Sequence, residues 1–355
     1  MFQRSRARTA RLAIIGLAAA MGAGGLAFPA QADTVLNQYT ATPLVTDATG
    51  APNVDPALVN AWGMSQGPSS PVWVSNNGTA TSTLYVHGAS PKIPLTVAIP
   101  DGKPTGQVFN GTSGFPITVA DVTAPARFIF ASETGKLTAW NGGTSAVITK
   151  SVEGAAYKGL AIATSDNGTT RLYAANFAQG RVDVFGANWD RLNWPNAFRD
   201  WNLPEGYSPF GIQTLGNRVY VSYALRNPES GDDVSGAGHG FIDVFSTGGS
   251  LVKRLVSGGV LDSPWAMVMA PAGWGAFGGD LLVGNFGDGK IHAYDNSGHL
   301  VGTMRHGDAD LVLDGLWGLL FGNGRSAATN ELMFTSGPDH EAHGLWGVIT
   351  VGADS

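Results

Sequence analysis

The sequence contains no cysteine, which excludes disulfide bonds, thiol nucleophiles and thiolate metal sites. Charged residues are also scarce, at 14% of the chain. Glycine and proline, by contrast, are abundant, with fifty and nineteen residues. Because they cost about 1 and 3 kcal/mol in a helix interior, helical bundles are disfavoured. The composition therefore favours an all-β fold of short strands and many turns.

The N-terminal segment, residues 1–32, has the pattern of a secretory signal peptide. Four arginines lie between Arg4 and Arg11, an apolar run interrupted by glycines extends from Leu12 to Phe28, and Ala30-Gln31-Ala32 fits a cleavage site. The alternative is a transmembrane anchor, but the most apolar part of the run is shorter than the ~20 residues that a spanning helix needs. We predict cleavage after Ala32 and a secreted or periplasmic protein.

The predicted mature chain, residues 33–355, is acidic. Removing the four arginines leaves 17 basic and 27 acidic residues, a net charge of -10 with histidine neutral. This balance argues against nucleic acid as a partner. No second apolar stretch is long enough to span a bilayer, so no membrane span is expected after cleavage.

A repeat of about 50 residues runs through the mature chain. Its marker is a short motif, usually an aromatic residue followed by glycine, at the start of the first strand of each unit. The third residues of five such motifs are separated by 96, 52, 55 and 52 residues. We expect the missing copy near residues 118–122. The motifs are Ala61-Trp62-Gly63-Met64, Tyr157-Lys158-Gly159-Leu160, Pro209-Phe210-Gly211-Ile212, Pro264-Trp265-Ala266-Met267 and Leu316-Trp317-Gly318-Leu319.

Each motif is followed by a β-branched and aromatic run of strand length, as in Val72–Asn76 or Asp280–Phe286. A polar turn comes next, and then an outer strand with an alternating apolar and polar pattern. A unit of this length made only of strands and turns is typical of a four-stranded propeller blade. Counting gives a single six-bladed β-propeller domain in which an N-terminal strand, residues 34–46, completes the last blade. The alternative architecture is a linear solenoid.

The residues before the motif glycines, or before Ala266 in blade five, form the first candidate site. They should line the mouth of the central channel as an aromatic funnel for sugar faces or apolar ligands, with one cation to orient a negative group. The alternative is that the rings only pack between the blades or plug the channel. These predicted ligand-binding residues are Trp62, Lys158, Phe210, Trp265 and Trp317.

The turns after the second strands supply the second candidate site. Asn76, Glu133, Asn176 and Asn285 occupy matching places there, and Asn176 and Asn285 are predicted to contact ligand, although such residues also stabilise turns. Blades four and six carry inserts at 224–238 and 336–342.

Both inserts end in His-Gly, which places His239 and His343 at equivalent positions two blades apart. With Glu341 nearby, they form a candidate catalytic set, because imidazoles beside carboxylates bind a divalent metal or transfer protons. A divalent metal is the only cofactor that this pattern suggests. The His-x-x-His of residues 340–343 is not the His-Glu-x-x-His of zinc peptidases.

Several segments resemble an uncharacterised family of exported bacterial propeller proteins, some of which end in a PEP-type sorting signal. The likeness runs from about residue 34 to 351 and implies one extracytoplasmic propeller domain without an established activity. This sequence ends without the sorting tail, so we expect free secretion. The segments are 58–63, 73–79, 157–161, 263–265, 279–289 and 337–345.

The blade pattern is more distantly similar to NHL-repeat propellers, calcium-dependent lactonases and streptogramin lyases. The lactonase family places oxygen ligands for its metal at the channel mouth, where this sequence has four aromatic residues and Lys158, which disfavours a calcium site.

Two functions remain open on these grounds. The first is a binding module for a small molecule, glycan or protein. The second is a metal-assisted lyase or hydrolase that uses the loop histidines.

Overall fold

The computed structural model describes residues 37–352, so the predicted signal peptide and its cleavage site lie outside the described residues. Within that range six sheets, antiparallel apart from one short parallel pair, are arranged as a six-bladed β-propeller, which confirms the predicted fold. The described residues contain no α-helix; their one helical element is the 3-10 turn Gly275–Phe277. None of their helical structure is long and apolar enough to cross a membrane.

The strands follow one another from the channel outwards in each blade. Blade one contains β3 Ala61–Ser65, β4 Val72–Asn76, β5 Thr81–Tyr85 and β6 Lys92–Ala98, and blade two contains β7 Pro104–Phe109, β10 Phe128–Ser132, β11 Lys136–Trp140 and β12 Val147–Ser151. Blade three contains β13 Tyr157–Thr164, β14 Thr170–Asn176, β15 Arg181–Gly186 and β16 Arg191–Leu192, and blade four contains β17 Tyr207–Leu215, β18 Arg218–Leu225, β19 Gly240–Ser246 and β20 Leu251–Ser257. Blade five contains β21 Pro264–Met269, β22 Leu281–Asn285, β23 Ile291–Tyr294 and β24 Leu300–Thr303, and blade six contains β27 Leu316–Phe321, β28 Leu332–Ser336, β29 Leu345–Val351 and β1 Tyr39–Thr46. The remaining strands are β2 Asn53–Val54, which extends blade six, and the hairpins β8 Pro116–Val119 with β9 Val122–Pro125 and β25 Arg305–His306 with β26 Ala309–Asp310.

The ring closes through the N-terminal strand, as predicted. Strand β1 pairs antiparallel with β29, from Tyr39 opposite Val351 to Thr46 opposite Leu345. The inner strands of blades six and one, β27 and β3, also contact each other. The chain is therefore a closed propeller and not a linear solenoid, and its first described strand protects the edge of its last blade.

The inner strand of blade two was placed wrongly from the sequence. It is β7, Pro104–Phe109, while residues 118–122 belong to the β8–β9 hairpin that is inserted between the first two strands of this blade. The motif glycine is Gly106, flanked by Thr105 and Gln107. Without the aromatic residue that marks most of the other motifs, and with an inserted hairpin behind it, this copy did not stand out.

Six hydrophobic clusters join each blade to the next around the ring. Between blades one and two, for example, the rings of Trp73 and Phe128 stack with their centroids 4.1 Å apart. Each blade thus buries both of its faces, which explains why the second strands are nearly continuous apolar runs.

The inner strands approach one another so closely that glycine is required at the motif. A Cβ atom on Gly63 would lie 2.6 Å from the Thr105 carbonyl oxygen, and one on Gly211 would lie 2.0 Å from the Trp265 carbonyl oxygen. The Ser222 hydroxyl fills the local bulge: it accepts the Gly211 N–H at 3.0 Å and donates to the Pro264 carbonyl at 2.6 Å. Backbone contact between neighbouring blades therefore sets the width of the channel.

Replacing Gly211 with alanine should destabilise the propeller, because the added methyl group would collide with the backbone of blade five. We expect the free energy of unfolding to fall by about 2 kcal/mol or more, measured by urea denaturation. Gly88→Ala is the matched control, since a Cβ at Gly88 meets nothing within 4 Å. Equal stabilities of the two variants would contradict the close packing.

Candidate functional site

The channel is closed at the end where the inner strands begin, and we call this the plugged end. Trp62 and Trp317 stack there with their ring centroids 3.5 Å apart, and Phe286 stacks on Trp317 at 3.9 Å. Phe210 lies 5.8 Å from Trp317, and Trp265 meets both tryptophans edge to face. These five residues form the aromatic plug, which a ligand would have to disrupt in order to enter the channel from this end.

The predicted aromatic funnel is therefore largely closed. Trp62, Phe210 and Trp317 are at most 2% exposed, so their ring faces contact each other and not a ligand. The alternative interpretation, in which the rings plug the channel, describes these three residues. Only Trp265 and Phe286 remain partly exposed, and they offer the aromatic surface of the plugged end.

Asn60 holds the plug in place. Its side-chain oxygen accepts hydrogen bonds from both indole N–H groups, from Trp62 at 2.9 Å and from Trp317 at 3.2 Å. Its amide nitrogen donates to Glu341 Oε1 at 3.1 Å. The residue adopts a left-handed backbone, with φ of 49°, which asparagine tolerates better than most residues. Sequence reasoning overlooked Asn60, although an asparagine directly before a strand is a usual signal for this conformation.

Lys158 and Glu133 form an ion pair above the plug. The ammonium group of Lys158 bonds to Glu133 Oε1 and lies 5.0 Å from the centroid of the Trp62 ring. Glu133 Oε2 accepts a hydrogen bond from Asn77 Nδ2 at 3.0 Å. Burial alone would raise the pKa of Glu133, but the charge and hydrogen bond of Lys158, helped by Asn77 and the exposed Lys103, lower it below its usual value. Glu133 is therefore held as a carboxylate.

Two further carboxyl groups, on Glu341 and Asp233, interact electrostatically with Lys158, and we call them together with Glu133 the acidic cluster. Burial raises the pKa of Glu341, and the negative charges of Glu133 and Asp233 add to the effect, although Asn60 and Lys158 oppose it. Burial also raises the pKa of Asp233, and the nearby Ser263 hydroxyl opposes this effect. The Oδ2 atom of Asp233 is buried, and no well-aligned hydrogen bond reaches it.

The loop of blade six directs Glu341 into the cluster. Asp339, His340 and Glu341 follow one another in left-handed conformations, with φ of 55°, 53° and 66°. The Glu341 N–H bonds back to the Gly337 carbonyl at 3.1 Å. Three consecutive non-glycine residues in this region are energetically costly, and such strain tends to occur at functional sites.

The two candidate histidines do not join this cluster. His239 Nδ1 lies 2.9 Å from the Val234 carbonyl, and His343 Nδ1 lies 3.0 Å from Asp47 Oδ2, with its side chain 44% exposed. The hydrogen bond and charge of Asp47 raise the pKa of His343. The two histidines are held by different loops, and residues 37–352 contain no preformed group of three or more His, Asp or Glu suited to a metal. A catalytic or metal-binding role for His239 and His343 stays a prediction.

The turn asparagines bond within their own blades. Asn176 donates to Asp183 Oδ2 at 2.7 Å and to Gln179 at 3.0 Å, and Asn285 donates to the Val260 carbonyl at 2.9 Å and to Asp288 at 3.0 Å. Both residues are fully buried. These contacts are typical of residues that stabilise turns, although the Oδ1 atom of Asn285 is buried without a partner. Ligand contact by Asn176 and Asn285 stays a prediction.

The chain is a six-bladed propeller whose plugged end carries an acidic cluster. Solved structures share the fold. A streptogramin B lyase structure is 9% identical and has a TM-score of 0.52, covering 88% of this chain and 97% of its own. An inactive variant of virginiamycin B lyase from Staphylococcus aureus with quinupristin is 10% identical and has a TM-score of 0.53, covering 89% of this chain and 100% of its own. A putative gluconolactonase is 14% identical and has a TM-score of 0.52, covering 87% of this chain and 92% of its own. At these identities the likeness shows the fold alone.

Sequence relatives place the chain in a family. It is 34% identical to uncharacterized protein R648 of Acanthamoeba polyphaga mimivirus over 323 residues, which cover 86% of this chain and 78% of that protein. It is 33% identical to uncharacterized protein L690 of the same virus over 316 residues, which cover 84% of this chain and 82% of that protein. The chain belongs to the same family as these viral proteins. No protein-family model matches it, and a bacterial family with a sorting signal remains a prediction.

Replacing Lys158 with methionine should leave the Glu133 carboxylate buried without its cation. We expect a loss of about 3 kcal/mol of folding free energy at pH 7.5, measured by urea denaturation. Lys158 lowers the pKa of Glu133, so the stabilisation is present above the usual glutamate pKa and is lost at lower pH. In the variant the pKa of Glu133 rises, and the deficit should shrink towards pH 4.5 as the carboxyl group takes up a proton.

Two variants control this experiment. Adding Glu133→Gln to Lys158→Met should recover part of the lost stability, because the uncompensated charge is gone. Lys136→Met breaks the more exposed pair with Asp101 and should cost less than about 1 kcal/mol. A pH-independent deficit in Lys158→Met, with no recovery in the double variant, would show that the ion pair is unimportant.

Proposed function

We propose that this protein is an exported binding propeller whose plugged end captures a ligand through a positively charged ammonium group. The observation that carries the proposal is the excess of negative charge in the acidic cluster. The buried ammonium group of Lys158 pairs with Glu133 and also interacts electrostatically with Asp233 and Glu341. The other cation that acts on Glu133, Lys103, is exposed, so three carboxyl groups share one buried cation.

The raised pKa values of Glu341 and Asp233 support this proposal. Both groups occupy an environment that disfavours their charged forms. An incoming ammonium group would supply the missing positive charge. Its binding should therefore lower both pKa values and release protons.

The aromatic residues suit the same ligand class. Trp265 and Phe286 are partly exposed beside the buried tryptophans and can present ring surface to a cation. Attraction between a cation and an aromatic ring contributes about 0.5–2 kcal/mol. An anionic ligand would face the carboxylates of an already acidic chain, whose net charge is -6 over the full sequence. Among the partners considered from the sequence, a cationic small molecule, aminosugar or basic peptide fits best.

A second candidate is an enzyme, a hydrolase or lyase, that uses carboxyl groups at the same cluster in place of the histidines. The observation that favours it is the opposite direction of two pKa shifts in one cluster: that of Glu133 is lowered and that of Glu341 is raised. Such a pair can serve as base and acid. The solved lyase structures support this candidate at the level of fold. A bound ligand recovered chemically unchanged after long incubation would favour binding over catalysis.

Calorimetry with choline and its neutral isostere 3,3-dimethylbutan-1-ol tests the proposed binding. The two probes share their shape and differ in the positive charge, so we expect saturable binding of choline or of the primary amine ethanolamine, and at least tenfold weaker binding of the neutral alcohol. Glu341→Gln should weaken amine binding at least tenfold. Glu331→Gln, at the other end of the same blade, is the matched control. If neither choline nor ethanolamine binds saturably, or if the neutral alcohol binds as tightly as choline, the proposal is refuted.

A further inference from the structure

The other end of the channel, which we call the open end, contains a separate cavity. Beneath the plug lies a narrow space of about 40 Å³ lined by the inner strands, and a cavity of about 210 Å³ lies next to it at the open end. Met64, Gln107, Gln213 and Leu320 contribute to the walls of both spaces. Because the aromatic plug closes the far end, this is a blind channel that a molecule enters from one side.

The larger cavity is lined by uncharged side chains. Across the described ranges of the chain, no Asp, Glu, Lys, Arg or His contributes to its wall. An uncharged wall selects against charged ligands. An ion entering the channel would lose hydration without gaining a countercharge, which costs several kcal/mol.

One unused hydrogen-bonding side chain faces this cavity. Gln213 is partly exposed, and its amide makes no side-chain hydrogen bond with any residue between 37 and 352. The neighbouring Thr214 hydroxyl also lacks a partner, but it is buried beyond the reach of a ligand. Gln107 differs, because its amide nitrogen already donates to the Gly63 carbonyl at 2.8 Å and the Trp73 carbonyl at 3.0 Å. Gln107 is thus fixed in the wall, while Gln213 is available to a ligand.

Apolar surface completes the lining. Phe109, Ile162 and Leu320 contribute to the wall, and Phe109 is held edge to face against Phe128 with ring centroids 5.5 Å apart. The wall thus combines apolar surface with polar groups, as small-molecule sites do. With its volume below the range of drug-sized pockets, about 300–1,000 Å³, this cavity suits a smaller molecule.

We propose that the open end of the channel binds a small neutral polyhydroxylated molecule, a monosaccharide or polyol, through Gln213. An amide group both donates and accepts hydrogen bonds, which matches the hydroxyl groups of such a ligand. The aliphatic and aromatic wall residues match its C–H faces. This site lies beyond the plug from the acidic cluster, so it does not depend on the ammonium-binding proposal.

Methionine-methyl NMR tests this inference on the intact protein. The Met64 methyl group reports on both parts of the channel and can be assigned with Met64→Leu. We expect its resonance to shift saturably on titration with D-glucose or glycerol. D-glucuronate and D-glucosamine are the matched charged probes, and they should bind at least tenfold more weakly. No saturable shift with either neutral probe up to 100 mM, or equal binding of the charged sugars, would overturn the proposal.

Variants locate the binding groups. Gln213→Leu should raise the Kd of the neutral probe at least tenfold, and Gln213→Glu, which keeps the side-chain shape but places a charge in the uncharged wall, gives a second test if Gln213→Leu folds poorly. Gln179→Leu, which replaces an exposed glutamine in a turn of blade three, should leave the Kd unchanged. An unchanged Kd in folded Gln213→Leu and Gln213→Glu would exclude Gln213 and the site with it.

Discussion

Backbone contact between neighbouring inner strands is the constraint on which the rest of this molecule depends. At Gly63, Gly106 and Gly211 the next blade's backbone lies where a side chain would begin. The blades can therefore approach until their inner strands touch, and the channel becomes narrow. The large residues that precede the glycines then converge at one end and plug it. Closure of the ring by strand β1 maintains this arrangement around the full circle.

The aromatic plug in turn determines the electrostatics of the plugged end. Stacked indole rings form an apolar floor beneath the carboxyl groups, and removal of water from that side penalises every charge above it. Lys158 compensates Glu133, whereas Glu341 and Asp233 remain undercompensated. Asn60 couples the two layers, since one amide group bonds both indoles and Glu341. The same plug makes the opposite end a blind channel with uncharged walls.

The propeller itself was predictable because its signals are local and repeated. Strand patterns, turn residues and the spacing of Gly159, Gly211 and Gly318 each arise within one blade, and counting them predicted the closing strand. Blade two was misread because Thr105 replaces the aromatic residue that marks most of the blades. The candidate site was less accessible, because it depends on contacts between blades. Glu133 was recognised only as a turn residue, and its pairing with Lys158 requires two blades to be in register. Asn60 was missed for the same reason, as its partners Trp317 and Glu341 lie more than 250 residues away.

The central claim is that the plugged end carries one electrically coupled cluster. A pH titration of the glutamate side-chain carboxyl groups by carbon-13 NMR, assigned with Glu133→Gln and Glu341→Gln, tests it most directly. The account predicts that Glu133 titrates below, and Glu341 above, an ordinary glutamate, and that Glu133→Gln lowers the pKa of Glu341. Ordinary pKa values for both groups, with Glu341 unaffected by the change at Glu133, would contradict it.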